Sequence, residues 1–192
     1  YDGVGAYNND GTLKAGAKVL YITAKTAKTV STTVNTGKSE TITGLQSIID
    51  AYSKGKDKTP IAFRIIGKVS LSDLDHISSS AEGLQVKGAT MNMTFEGVGD
   101  DATVYGFGFL LREAVSVEFR NFAIMRCLDD AMSLDTKNSN VWIHNMDLFY
   151  GKKGSAADQA KGDGTVDIKG DSKYVTVAYN RFWDNGKASM CG

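Results

Sequence analysis

The sequence is poor in proline, cysteine and net charge. Pro60 is its one proline, set against 21 glycines. Turns that use glycine and almost no proline point to many short strands. Two cysteines, Cys127 and Cys191, are too few for a disulfide scaffold. They make either one bridge or two thiols, and no CxxC or Cys/His cluster with zinc spacing is present. Lys plus Arg and Asp plus Glu each number 22, so the formal net charge is zero. That balance argues against non-specific nucleic-acid binding and against an acidic tail. The chain has no run of about 18 apolar residues, so nothing in it is expected to span a membrane. Residues 1–5 hold neither a basic n-region nor an apolar h-region, and no secretory signal is visible. What is present is globular in composition. The 192 residues, 42% hydrophobic and 23% charged, suit a single domain with a sizeable core.

Along the chain, Lys18 to Thr23 reads as a strand, and the Thr- and Lys-rich stretch 23–41 as a solvated loop. Leu45, Ile48, Ile49 and Tyr52 follow helical spacing, and Thr43 is placed to cap that helix. Pro60 opens a strand over Ile61 to Ile66 that Gly67 should end. From about residue 90 the chain repeats. Met93-Thr94-Phe95-Glu96-Gly97, Val117-Glu118-Phe119-Arg120-Asn121 and Val141-Trp142-Ile143-His144-Asn145 begin 24 residues apart. A fourth copy, Thr176 to Asn180, begins 35 residues after the third, which leaves room for an insertion around Gly151 to Gln159. A period of 24 suits one coil of a parallel β-helix: three short strands and three turns. Asn121, Asn145 and Asn180 then share a phase, where asparagine tolerates a left-handed turn and stacked amides can bond along the axis. An antiparallel sandwich also gives short strands, but it requires no fixed period. Phe107, Phe109, Leu110, Phe119, Phe122, Ile124, Trp142, Ile143 and Val177 are the expected stacked core. The expected division is a single domain over 1–192, with an N-terminal strand, loop and cap helix in 1–60 and coils in 61–192.

Acidic residues in the repeat cluster around turns. Asp129 and Asp130 precede Ala131-Met132-Ser133-Leu134, and Asp163 and Asp167 flank Gly164-Thr165-Val166. Residues four apart in a strand share a face, and Asp130 lies one coil earlier. Three carboxylates converging with no lysine or arginine between them repel one another unless a cation joins them. Oxygen-only ligands favour calcium over zinc or copper. The plain alternative is a set of solvated turn aspartates. Lysines 152, 153 and 161 would be a solvated loop or would attract a polyanion.

These segments, together with Val175 to Phe182 and Lys187-Ala188-Ser189-Met190-Cys191-Gly192, follow the order of the pectate lyase family, which the sequence resembles over most of 90–192. Residues 60–67 resemble its first core strand and 44–54 its N-terminal capping helix. The resemblance implies an all-β fold, a right-handed parallel β-helix with an N-terminal capping helix, its C-terminal coils missing from this chain. It implies a secreted, calcium-dependent lyase that cleaves de-esterified polygalacturonate by β-elimination. Asp130, Asp163 and Asp167 match the calcium ligands, with Asp129 a possible further one, and Lys187 matches a lysine that contacts a substrate carboxylate. The family's base is an arginine, and its position falls after Gly192. None of Arg64, Arg112, Arg120, Arg126 and Arg181 has that context, so no catalytic residue is expected within this chain and a second chain would supply the remaining coils. His144 stands where the family commonly has Asp-His, and reads as a turn or surface residue. Trp183 is either a strand-end residue or a platform for sugar. A non-catalytic polygalacturonate-binding β-helix is the alternative function, and a pectin hydrolase ranks behind it because its Gly-His-Gly and Arg-Ile-Lys signatures are absent.

Overall fold

The structure is a computed structural model that describes residues 3–88, 91–150 and 163–192. In chain order its elements are β1 (Lys18–Ile22), β2 (Ser31–Asn35), β3 (Ser39–Thr43), α1 (Leu45–Tyr52), β4 (Ile61–Ser70), β5 (Gly83–Lys87) and β6 (Met93–Tyr105). Next come β7 (Gly108–Arg112), β8 (Val115–Arg120), β9 (Ala123–Met125), β10 (Met132–Thr136), β11 (Ser139–His144) and β12 (Asp147–Phe149). The last four are β13 (Val166–Ile168), β14 (Lys173–Ala178), β15 (Arg181–Trp183) and β16 (Ser189–Cys191).

Among these strands every pairing except the hairpin β2–β3 is parallel. Each strand pairs with its counterpart one coil away, which is the arrangement of a parallel β-helix. The register is the sequence period made visible: Met93 pairs with Val117, Val117 with Val141, and Phe95 with Phe119. One sheet runs β16-β13-β10-β7-β5, and it carries the acidic residues on or beside its outer face.

The fourth copy sits one residue earlier than its sequence suggests. Val175, not Thr176, pairs with Val141, so that coil takes 34 residues. Phe149 aligns with Met125 and Val166 with Met132, so the extra length falls between Phe149 and Val166. The expected insertion and lysines 152, 153 and 161 lie outside the described residues. The left-handed turn positions are accordingly Asn121, Asn145 and Tyr179, at φ 68, 53 and 57. Asn180 is therefore not the turn residue. Its side chain instead ties two coils together, accepting from Met146 N at 2.9 Å and donating to Ile143 O at 2.9 Å.

Inward-facing residues stack from coil to coil. The Phe63, Phe95 and Phe119 rings follow one another at 5.1 and 5.0 Å, with Phe109 edge-on to Phe119. Three expected core residues behave differently. Trp142 shares the outward phase of Glu118 and Thr176 and stacks on His144 at 3.8 Å. Leu110 is buried but points away from the core into the acidic cleft. Val177 is in the inward phase of Ile143 yet 39% exposed, since β14 has a described neighbour on one side only.

The apolar face of α1 is buried against one end of the core cluster. Thr43 does not cap it. The N-cap is Gly44 at φ 99, with no side-chain bond of its own. The Asp75 carboxylate does the work, accepting from Gln46 N at 2.9 Å, Ser47 N at 3.1 Å and Ser47 Oγ at 2.8 Å. A Cβ on Gly44 would lie 2.4 Å from Asp75 Cγ, so only glycine lets the carboxylate this close. Two further expectations change. Stretch 23–41 contains most of the β2–β3 hairpin, whose Thr-Val and Thr-Ile alternation fits a half-buried ribbon. Gly67, at φ 64, does not end β4 but sits at a shift in register within it.

Candidate functional site

The sheet β5-β7-β10-β13-β16 carries a cleft of about 390 Å³ on its outer face. Its lining includes Glu82, Arg112, Asp129, Asp130, Asp163 and Lys169. Asp129 and Asp130 stand in the turn before β10, and Asp163 in the turn before β13 one coil on. Backbone bonds fix the two turns together: Asp163 N donates to Asp129 O at 3.0 Å, and Gly164 N to Asp130 Oδ1 at 2.8 Å. One carboxylate oxygen from each of Asp129, Asp130 and Asp163 lies within 4.8 Å of the others.

Asp167 reaches the same place from within β13. Its neighbour is identified by Gly164, where an added Cβ would lie 2.4 Å from Asp167 Oδ1 and 2.9 Å from Asp130 Oδ1. Two carboxylates thus close on one bare Cα. Asp163 lies outside the strand, so the strand-face spacing is not what unites it with Asp167; the turn is. Asp167 Oδ1 is buried and has no hydrogen-bond partner. Burial, then Asp130, push the Asp167 carboxyl above its ordinary range, and burial, Asp130 and Asp163 do the same to Asp129. An all-oxygen donor set with a buried orphan oxygen and mutually repelling carboxylates fits a hard divalent cation.

The sequence reading placed no basic group among these acids, and here the structure differs. Lys169 Nζ stands 3.8 Å from Asp130 Oδ2 and 3.7 Å from Asp167 Oδ2. Lys187 Nζ donates to Asp163 Oδ1 at 2.5 Å, and its carbonyl accepts from Thr165 Oγ1 at 2.7 Å. Spacing hides Lys169 because it lies beyond the end of β13, and only a long flexible stem brings its charge back to the cluster. Glu82 was also missed. It is buried, bonded by Ser79 Oγ at 2.5 Å, and its carboxyl is raised by burial and then by Asp130 and Asp129.

The described arginines are engaged elsewhere. Arg64 and Arg120 grip Glu96, Arg181 grips Asp147, and Arg126 lies over Tyr105. Arg112 lines the cleft, with its Nε donating to Asp135 Oδ2 at 2.8 Å. His144 is buried on a different sheet, its Nε2 2.9 Å from Glu118 Oε1, away from the acidic cluster. Trp183 closes β15, stacks on Phe149 at 4.2 Å and is 42% exposed. Cys127 and Cys191 are both free thiols, the first buried and the second exposed. Among the described residues no helix is long and apolar enough to cross a membrane.

No protein-family profile matches the sequence. A pectate trisaccharide-lyase of Bacillus licheniformis is 24% identical over 159 residues, which are 81% of this chain and 44% of that protein. Pectate lyase A of Emericella nidulans is 33% identical over 104 residues, 53% of this chain and 31% of that protein. Among solved structures, a pectate lyase of a Bacillus species in complex with trigalacturonate superposes with a TM-score of 0.64 at 22% identity, covering 95% of this chain and 52% of that one. A thermostable pectate lyase gives 0.57 at 18% identity, covering 94% of this chain and 57% of that one. The chain thus spans about half the length of the Bacillus licheniformis relative and of the trigalacturonate-bound neighbour. These relatives by sequence and neighbours by fold are alike pectate lyases, and the likeness to the solved structures shows the parallel β-helix fold.

Proposed function

We propose that this chain forms the calcium- and substrate-binding part of a secreted, calcium-dependent pectate lyase that cleaves de-esterified polygalacturonate by β-elimination. The observation that carries the reading is the buried, unpartnered Asp167 Oδ1 beside the Asp129, Asp130 and Asp163 cluster. The names of the relatives, and the trigalacturonate in one neighbour, support the substrate class.

Asp130, Asp163 and Asp167 would hold calcium, with Asp129 as a further ligand. When bound, the ion places positive charge on the substrate carboxylate and stabilises the charge that develops as the C5 proton leaves. Lys187 leaves Asp163 and binds a substrate carboxylate with its ammonium, which orients the sugar. Arg112 cannot serve as base while Asp135 holds it, and no other described arginine faces the cluster. We therefore assign the base to an arginine after Gly192, in further coils or in a second chain.

With the downstream coils supplied, polygalacturonate and added calcium should yield unsaturated product, read by its ultraviolet absorbance. A chelator, or Asp130→Asn or Asp167→Asn, should abolish it. Product that persists undiminished in chelator would sink the calcium reading. The engagement of Arg112 by Asp135 in the cleft, and of the other described arginines elsewhere, favours a second reading, a polygalacturonate-binding β-helix without chemistry. Calcium-dependent retention on polygalacturonate with no unsaturated product, even after downstream coils are supplied, would decide for it.

A further inference from the structure

Lys169 is not held as a structural ion pair is held. Other pairs have short contacts, such as Arg120 to Glu96 at 2.7 Å, Arg181 to Asp147 at 2.6 Å and Lys187 to Asp163 at 2.5 Å. Lys169 Nζ instead hovers between two carboxylates, at 3.7 and 3.8 Å, beyond hydrogen-bond reach of either. It leaves Asp167 Oδ1 without a donor. Its side chain is one-third exposed and stands at the edge of the cleft, so a rotation of its stem would carry the ammonium to water.

A positive charge placed between Asp130 and Asp167, near both and bonded to neither, is an occupant that can be exchanged. Resting on the calcium reading above, we infer that Lys169 is a built-in counter-cation of this cluster, displaced toward solvent when the divalent ion enters. A divalent ion and an ammonium cannot share the space between Asp130 and Asp167 without strong repulsion. Lys169 therefore does two opposite things. It stabilises the metal-free chain by neutralising the carboxylates, and it lowers calcium affinity by competing for them. The cleft thereby responds to calcium over a higher concentration range than its donor set alone would set.

Calcium titration calorimetry at neutral pH and low salt, with melting curves in chelator, tests this on the 192-residue chain. Lys169→Met should bind calcium roughly thirtyfold tighter, the scale of one unit charge acting at about 4 Å on two partners in a water-like medium. The same variant should melt lower than wild type in chelator, while Lys169→Arg, which keeps the charge, should stay near wild type in both. Should Lys169→Met not fold without metal, its affinity is read from the calcium-loaded state by chelator competition. Equal or weaker calcium binding by Lys169→Met overturns the exchange and leaves the calcium reading standing. No calcium binding by either protein overturns the calcium reading and the exchange with it.

Discussion

Gly164 sets the distance between Asp130 and Asp167. Replacing it by alanine drives a methyl into the Asp167 carboxylate at 2.4 Å, which must swing away. Gly164→Ala should therefore weaken calcium binding in a calorimetric titration while changing the melting midpoint little, because the clash falls on a side-chain end. The two thiols make a separate residue-scale expectation. Burial, with Asp130 adding to it, pushes the Cys127 thiol up to about 12, whereas Cys191 is exposed. A thiol reagent should label one cysteine per native chain and two after unfolding. At this scale the acids were legible, since aspartates on both sides of a glycine turn announce a cluster. The basic partners were not. Spacing gives the direction in which a side chain leaves the backbone, but not where a four-carbon stem ends. Trp142 was misjudged for a related reason: hydrophobicity outweighed its even phase with Glu118 and Thr176, which alone decides the face.

Helix α1 depends on a group that sequence proximity does not reveal. Asp75, some thirty residues downstream, caps it, and His76 bridges that cap to the helix itself. The ring contacts Asp75 Oδ2 at 2.9 Å through Nδ1 and Asp50 Oδ2 at 3.0 Å through Nε2. Burial works against charging the ring, but the two carboxylates outweigh it and hold the imidazolium above its ordinary range. The sign follows from linkage. A raised folded value contributes stability that is fully present below the unfolded value of about 6.5, and it is lost as pH rises through the folded one. Melting midpoints should thus fall as pH climbs from about 6 to about 8, and His76→Gln should flatten that slope. An unchanged slope in the variant would remove His76 as its source. Asp75→Ala should cost about 1 kcal/mol, the ordinary value of a lost cap, in chemical denaturation. The helix itself was legible from the spacing of Leu45, Ile48, Ile49 and Tyr52. Its cap was not, because Thr43 offers a local hydroxyl while the fold delivers a carboxylate from another coil.

In the whole molecule, stability is built coil upon coil, each coil touching only its neighbours. Phe95 stacks between Phe63 and Phe119, so Phe95→Ala should cost about 3–5 kcal/mol, read as a shift in denaturation midpoint. If the cluster binds calcium as proposed, ligand at a hundredfold excess over its dissociation constant should add about 2.7 kcal/mol. That corresponds to a midpoint rise of roughly 5–10 °C for a chain of this size, and Asp130→Asn should erase it. The fold was legible because a parallel coil repeats its inward residues at a constant interval. The fourth copy is offset by one because Tyr179, not an asparagine, occupies the left-handed turn position there. The register also determines where this chain can change length. From Met93 to Val117 to Val141 the core counts 24 residues each time, and it absorbs ten more before Val175 without losing phase, all of them between Phe149 and Val166. A residue added to a regular stretch of strand would reverse the faces beyond it unless a bulge absorbed it, as at Gly67. Residues added in a turn leave the beat intact, so new binding surface can be inserted beside the acidic cleft with no change to the interior.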